Sequence, residues 1–334
     1  MHKHWTQYIR EVFPGADILD AALKYPVTDN GWLVDLPVPS YWRDKGPDHK
    51  LFVCLQDWLT QGEQYPQELE NCYKILSKHN APMDQIVFIV EPYGIRRDWP
   101  TDRFKIIEFH AFLYETWLQY KDAEDVLREA FGDEHRDFEF NFVCPQRIYK
   151  PHRAALHSSL DSSIGNISLQ TKGIELKYPN LDIETYDSSY NNLANLLAMR
   201  KNYNTALFTI ISETQYTERY GTITEKLFNA IVAGHPFLYC AHQHALDQVK
   251  DLGFQTYNYI FDETYDELDN VVRMKDMIDS NYRFTQEPLS AVEMQQIYEQ
   301  CSNIIEYNRG YFFDQFGYQM VDELRMDLLN LWGR

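Results

Sequence analysis

The chain is poor in the features that mark several large protein classes. Its five cysteines (Cys54, Cys72, Cys144, Cys240 and Cys301) are odd in number, scattered, and never spaced Cys-x-x-Cys. That pattern fits reduced core thiols and excludes a disulfide framework or a zinc ribbon. Fourteen glycines are present, but none form a Gly-x-Gly-x-x-Gly turn or a Walker lysine loop. A dinucleotide-binding dehydrogenase or a P-loop enzyme is therefore not expected. No apolar run approaches the roughly 20 residues of a membrane span. The opening MHKHWTQYIREVF lacks the apolar stretch of a signal peptide, so a soluble, cytoplasmic protein is the expectation. Positive charge is scarce as well, with 31 Lys and Arg against 50 Asp and Glu and a net charge of −19. This balance disfavours non-specific binding to nucleic acid or anionic membrane, though it leaves room for a local basic patch.

What is present points to packed cores. Hydrophobic residues make up 44% and aromatics 15% of 334 residues, including 24 Tyr and 19 Phe. That length is long for one core and suits two domains. Short apolar runs predict strands over 51–55, 85–90 and 104–109, with helices over 5–13, 66–78 and 111–131 between and around them. Alternating strands and helices mean a parallel sheet and an α/β fold. The polar stretch GDEHR at 132–136 reads as a domain boundary near residue 135, dividing the chain into 1–135 and 136–334. A second α/β unit follows. It has strands over 138–144, 168–170 and 257–261, helices from Pro151 and over 191–201 and 242–251, and a polar loop over 171–190. Met294, Ile297, Tyr298, Cys301, Ile304 and Ile305 form a helical stripe near the end.

The most informative stretch is ALFTIISETQYTERYGTITEKLFNAIVAGHPFLYCA, 206–241. It predicts a strand over 206–212, a loop, a helix, and a strand over 236–240. Thr222 and Glu225 have capping-box spacing, which puts the helix start there. Leu227, Phe228, Ile231 and Val232 share one face, and Gly234 followed by Pro236 ends the helix. Ligands of such βαβ units bind beyond the carboxyl ends of the strands. The loop carrying Glu213, Tyr216, Tyr220 and Gly221, with Thr224, Glu225 and Lys226 on the first helical turn, is thus the candidate site.

The ordered set Ser212-Glu213, Tyr220, Thr224-Glu225-Lys226, Ala230, Gly234 and Pro236 resembles the donor-site signature of fucosyltransferase-like GT-B glycosyltransferases. The resemblance covers roughly 35 residues of this stretch, has a looser match near residue 150, and does not reach the N-terminal third. It implies a GT-B-like α/β fold: two Rossmann-like domains facing a cleft, with C-terminal helices crossing back to the first domain. The first domain would bind the acceptor and the second the nucleotide-sugar, a UDP- or GDP-sugar serving as co-substrate. The expected reaction moves the sugar onto a hydroxyl acceptor without a catalytic metal.

Arg147, Lys150, His152 and Arg153 lie within seven residues at a predicted strand end and helix start. Cations there oppose the helix dipole unless an anion sits among them. A solvated basic patch is the plainer reading; with the resemblance, the cluster becomes a diphosphate site in which Arg153 is favoured. An Arg153→Ala chain is then expected to fold normally and lose sugar transfer. Glu225 and Lys226, alone a cap and a surface cation, become ribose and diphosphate ligands by the same resemblance, along with Tyr220 and Thr224. Glu213, a carboxylate ending a buried strand, needs a partner such as Lys226 or a sugar hydroxyl. Asp57 is the first candidate for the general base, ahead of Glu91 and His110, because QDWLTQG sets it beside Trp58. Two other readings stay open. One is a DNA glycosyltransferase acting on hydroxymethylated cytosine in phage DNA; the other is a catalytically silent GT-B-fold binding or virion-associated protein.

Overall fold

The structure is a computed structural model that describes residues 4–20, 50–55, 74, 77, 82–90, 105–132, 136–146, 149–168, 192–216 and 221–331. Its strands are β1 (Asp17–Asp20), β2 (Leu51–Leu55), β3 (Ile86–Val90), β4 (Lys105–Glu108), β5 (Phe140–Cys144), β6 (Gly165–Ile167), β7 (Ala206–Ser212) and β8 (Phe237–Cys240). Its helices begin with α1 (Trp5–Val12), α2 (Ala111–Asp122), α3 (Glu124–Ala130), α4 (Pro151–Ser159), α5 (Asn192–Ala198) and α6 (Arg200–Asn204). They continue with α7 (Glu225–Val232), α8 (Ala245–Asp251), α9 (Asn270–Ser280), α10 (Tyr282–Thr285), α11 (Ala291–Tyr311) and α12 (Gly317–Asn330). The fold is mixed α/β with two parallel sheets.

Two compact units account for the chain, Met1–Glu115 with Gly317–Arg334 and Thr116–Phe316. The division falls inside α2, and the polar break at 132–136 lies within the second unit. In the first unit the strands are ordered β1-β2-β3-β4. All five residues of β3 are buried, as a strand covered on both faces requires. Trp5 and Ile9, one turn apart on α1, are fully buried, and the Trp5 indole N–H donates to Glu115 at 2.9 Å. The C-terminal helix α12 packs on α1. Arg325 pairs with Glu11 at 3.0 Å and lies 4.9 Å from the centre of the Tyr8 ring.

In the second unit the order is β6-β5-β7-β8. Every residue of β7 is buried. Helix α7 packs against β7 and α11, burying Leu227, Phe228, Ile231 and Val232, the face expected from their spacing. Gly234, at φ +66°, ends it, in the left-handed region where a Cβ is costly. Helix α11 opens with a true capping box, Ser290 and Glu293, and runs into a π-helical segment, Phe312–Phe316. That wider turn sets Phe312 and Phe316 against Phe228, with ring centres 4.9 and 5.3 Å apart. Packing of this kind fixes α7, and with it the site, from below.

Several elements differ from the sequence expectation. The strand of this region is Gly165–Ile167; Ser168, expected to begin a strand over 168–170, lies just beyond it and exchanges hydrogen bonds with Gln146, and 169–170 lie outside the described residues. Residues 257–261 form a turn, not a strand, with the N–H groups of Ile260 and Phe261 both donating to the Tyr257 carbonyl at 2.9 Å. The helix expected over 111–131 breaks at Ala123, whose N–H tightens onto Tyr120. The helix over 191–201 likewise splits at Met199. Helix α8 starts only at Ala245, after His244 adopts φ +61°. The helix expected over 66–78 and the loop over 171–190 lie largely or wholly outside the described residues. No helix among the described residues is long and apolar enough to cross a membrane.

Candidate anion-binding site

From β5 the chain goes to β6 on one side and then returns to β7 on the other. That reversal makes the carboxyl ends of β5 and β7 a topological switch point, the place where open parallel sheets bind ligands. The segment after β5 delivers Lys150, His152 and Arg153 at the start of α4, whose first residue is Pro151. The segment after β7 delivers Glu213 and Thr214, and α7 brings Thr224, Glu225 and Lys226.

These residues meet around Thr214. Lys150 Nζ donates to the Thr214 carbonyl at 2.8 Å. The Arg153 guanidinium reaches the Thr214 hydroxyl at 3.5 Å and the Ser212 carbonyl at 3.2 Å. Lys226 Nζ reaches the same hydroxyl at 3.5 Å. Cations from the starts of two separate helices therefore converge on one threonine. Lys226 also contacts Glu225 at 3.0 Å, Thr224 Oγ1 at 2.9 Å and Glu213 at 3.7 Å. Lys150, Arg153 and Lys226 against Glu213 and Glu225 leave one positive charge in excess, within a chain of net charge −19.

Glu213 is fully buried, but its carboxylate is satisfied. It accepts from the N–H of Thr214 at 3.0 Å, the N–H of Thr224 at 3.0 Å, the hydroxyl of Thr224 at 2.9 and 2.8 Å, and the Tyr239 hydroxyl at 3.0 Å. Such bonds offset the cost of burying a charge. They make Glu213 the brace of the loop, with its oxygens turned to protein donors. They also relocate the helix cap: Thr224 caps α7, and the capping box expected from Thr222 and Glu225 does not form. Glu225 is the first helical residue, so it is not folded back on Thr222. Burial pushes its carboxyl up, but Lys226 beside it and bonds from Lys226, its own N–H and Thr224 bring it below the ordinary glutamate value.

Arg153 is only 3% exposed. Burial lowers its affinity for protons, and the Glu213 and Glu225 carboxylates work against that. It is thus a strut between α4 and β7 as well as a cation of the site. His152 donates from Nε2 to the Glu213 carbonyl at 2.9 Å and stacks on Tyr216, ring centres 5.1 Å apart and planes 14° from parallel. Burial first, then Arg153 and Lys150, lower its imidazole to about 4 against the pull of that carbonyl.

Asp57, Glu91, Arg147 and Tyr220 lie outside the described residues. His110, in the first unit, follows β4 at the start of α2. Asp262 and Glu263 serve local turns: Asp262 accepts from Thr264, and Glu263 accepts from Thr256 and Tyr257. No cluster of metal-ligating side chains occurs among the described residues.

Three supporting residues escaped sequence reasoning. Thr214 carried a signal, a hydroxyl two residues after a buried strand end. Tyr239 points from β8 to Glu213, as strand alternation alone could not specify. Arg273 on α9 had no local signal: it is 1% exposed, donates to the carbonyls of Ala241, Leu268 and Tyr216, and lies 4.7 Å from the centre of the Tyr216 ring. It ties the loop after β7 to the end of β8. No protein family, characterised sequence or solved structure matches the chain.

Proposed function

We propose that the chain is a glycosyltransferase that moves a sugar from a nucleotide-sugar donor to a hydroxyl acceptor. The observation that carries this reading is the convergence of Lys150, Arg153 and Lys226 on Thr214 at the switch point of a parallel sheet. Three cations held this closely repel one another, and a diphosphate placed among them relieves that repulsion. In the reaction, Arg153 and Lys226 stabilise the charge that develops on the departing diphosphate. Glu225, one residue from Lys226 and not engaged as a cap, is set to accept from ribose hydroxyls. Glu213 holds the loop in shape and takes no part in sugar contact. The return of α12 to the first unit fits a GT-B-like arrangement in which that unit carries the acceptor.

Thermal-shift and calorimetric titration with UDP-, GDP- and CMP-sugars tests the reading. The expected result is saturable stabilisation by one nucleotide family, lost in Lys226→Ala, together with donor turnover when an acceptor is supplied. Stabilisation without turnover on any acceptor would favour the silent binding protein. Salt-sensitive binding of hydroxymethylated duplex DNA would identify DNA as the acceptor. No stabilisation by any nucleotide-sugar would refute the proposal.

A further inference from the structure

His152 has a ring nitrogen still to use. Its Nε2 carries the hydrogen donated to the Glu213 carbonyl, since a carbonyl can only accept. The neutral ring is therefore the Nε2–H tautomer, with its lone pair on Nδ1. Nδ1 makes no hydrogen bond among the described residues and is not among the polar atoms sealed from solvent without a partner. The groups around the ring are known from each side. Lys150 and Arg153 flank it on its own segment, Glu213 and Tyr216 face it from the loop after β7, and Glu225 and Lys226 stand on α7. The carboxylates are engaged by Thr224, Tyr239 and Lys226, so the two cations dominate the field at the imidazole.

Resting on the reading of this cluster as an anion site, we propose that His152 is a further, proton-dependent ligand of the bound anion. The free protein presents the neutral ring. As a dianion of the phosphate class seats beside Lys150 and Arg153, it cancels the charge that opposes protonation. Nδ1 takes one proton from solvent and donates the new N–H to the anion, while Nε2–H keeps its bond to Glu213. Binding thus takes up as much as one proton, and the site discriminates in favour of dianions. The sign of the pH dependence follows. The histidine holds its proton more tightly in the complex than in the free protein, so the added affinity is greatest at low pH. It is lost as pH rises through the value of the complex. Each unit by which binding raises that value is worth about tenfold in affinity.

Inorganic sulfate is the suitable probe, because it remains a dianion throughout and adds no titration of its own. Calorimetric titration of the full chain with sulfate at about pH 5 and about pH 8 is expected to show at least a tenfold loss of affinity at the higher value. In His152→Gln, whose amide can still donate to the Glu213 carbonyl, affinity should change little between the two. The His152 imidazole resonance of the wild-type chain, assigned with His152→Asn, gives the same information without relying on a variant's affinity. Its titration midpoint is expected to rise by about two units or more with sulfate, the rise that a tenfold difference between about pH 5 and about pH 8 requires. Sulfate binding with equal affinity at both values and an unmoved midpoint would overturn the proposal and leave the anion site standing. An absence of sulfate binding at either value would overturn both. Nucleoside diphosphates that bind no better than sulfate would remove the nucleotide-sugar reading alone.

Discussion

Glu213 accepts both the backbone N–H and the hydroxyl of Thr224, at 3.0 Å and at 2.9 and 2.8 Å. A buried carboxylate at the end of a strand thereby selects the cap of the next helix. The same hydroxyl receives Lys226 Nζ at 2.9 Å, so one chain of hydrogen bonds runs from the cation through the cap to the brace. The lysine, the cap and the loop are set together.

Glu213→Gln should show how much of the site depends on that brace. The amide keeps one acceptor oxygen but turns an NH2 group toward donors that now have no acceptor. A loss of about 2–4 kcal/mol in urea unfolding is expected, with anion affinity falling in parallel. A change within about 0.5 kcal/mol, the range of ordinary surface substitutions, would contradict the role.

Lys226→Ala and Arg153→Ala should separate binding from folding. The Lys226 side chain is 21% exposed, and Glu213 keeps its other donors without it. Stability should change by about 1 kcal/mol or less, while affinity for UDP or pyrophosphate falls about 10- to 100-fold. Arg153→Ala instead strips the buried Ser212 carbonyl of a donor. It should cost about 2–4 kcal/mol of stability, where the sequence alone suggested normal folding. Urea melts beside calorimetric titrations would decide; an Arg153→Ala chain as stable as wild type would count against its role as a strut.

Acid should weaken the second unit through His242. This imidazole has no solvent exposure and is lowered to about 4, chiefly by burial, against an ordinary 6.5. Protonation therefore favours the unfolded chain. The contribution is complete above about pH 6.5 and lost as pH falls toward 4, amounting to roughly 1 kcal/mol near pH 5.5. Asp266, raised to about 6 mainly by burial, acts in the opposite sense, its penalty relieved as pH falls below that value. Thermal unfolding between about pH 7.5 and 5.5 should drop less steeply in His242→Asn than in wild type. Identical slopes would mean that His242 does not titrate in this window.

Two glycines should respond oppositely to alanine. At Gly310, near the end of α11, an added methyl meets nothing within 4 Å. Gly310→Ala should stabilise by about 0.5–1 kcal/mol. At Gly165 the methyl would lie 2.1 Å from the Phe142 ring, and the overlap should cost about 1–3 kcal/mol. Chemical denaturation reads both, and effects of the same sign would show that the backbone relaxes around Phe142.

Much of the fold was legible because its signals are local. A short, mostly apolar run gave β7 its limits, and the spacing of Leu227, Phe228, Ile231 and Val232 gave α7 its buried face. Pro151 marked the start of α4 because its fixed φ suits the first helical position. The basic residues at that start were also visible as a conflict with the helix dipole. Strand signals failed where a short apolar run could satisfy its backbone otherwise, as Tyr257 does by gathering Ile260 and Phe261 into a turn.

The rest depended on contacts between residues distant in sequence. Local spacing favoured Thr222 as the cap; Thr224 took that place because Glu213 and Tyr239 come together only when β7 and β8 pair. Arg153 read as a cation facing a ligand, and its burial follows from the order β5-β7, which lays the end of one strand over the guanidinium of the next segment. Sequence determined which residues carry charge and which segments become strands and helices, since those follow from side-chain chemistry and local periodicity. Only the tertiary structure decided which charges face one another, because a hydrogen bond between residues 61 positions apart, as from His152 to Glu213, leaves no trace in the periodicity of either segment.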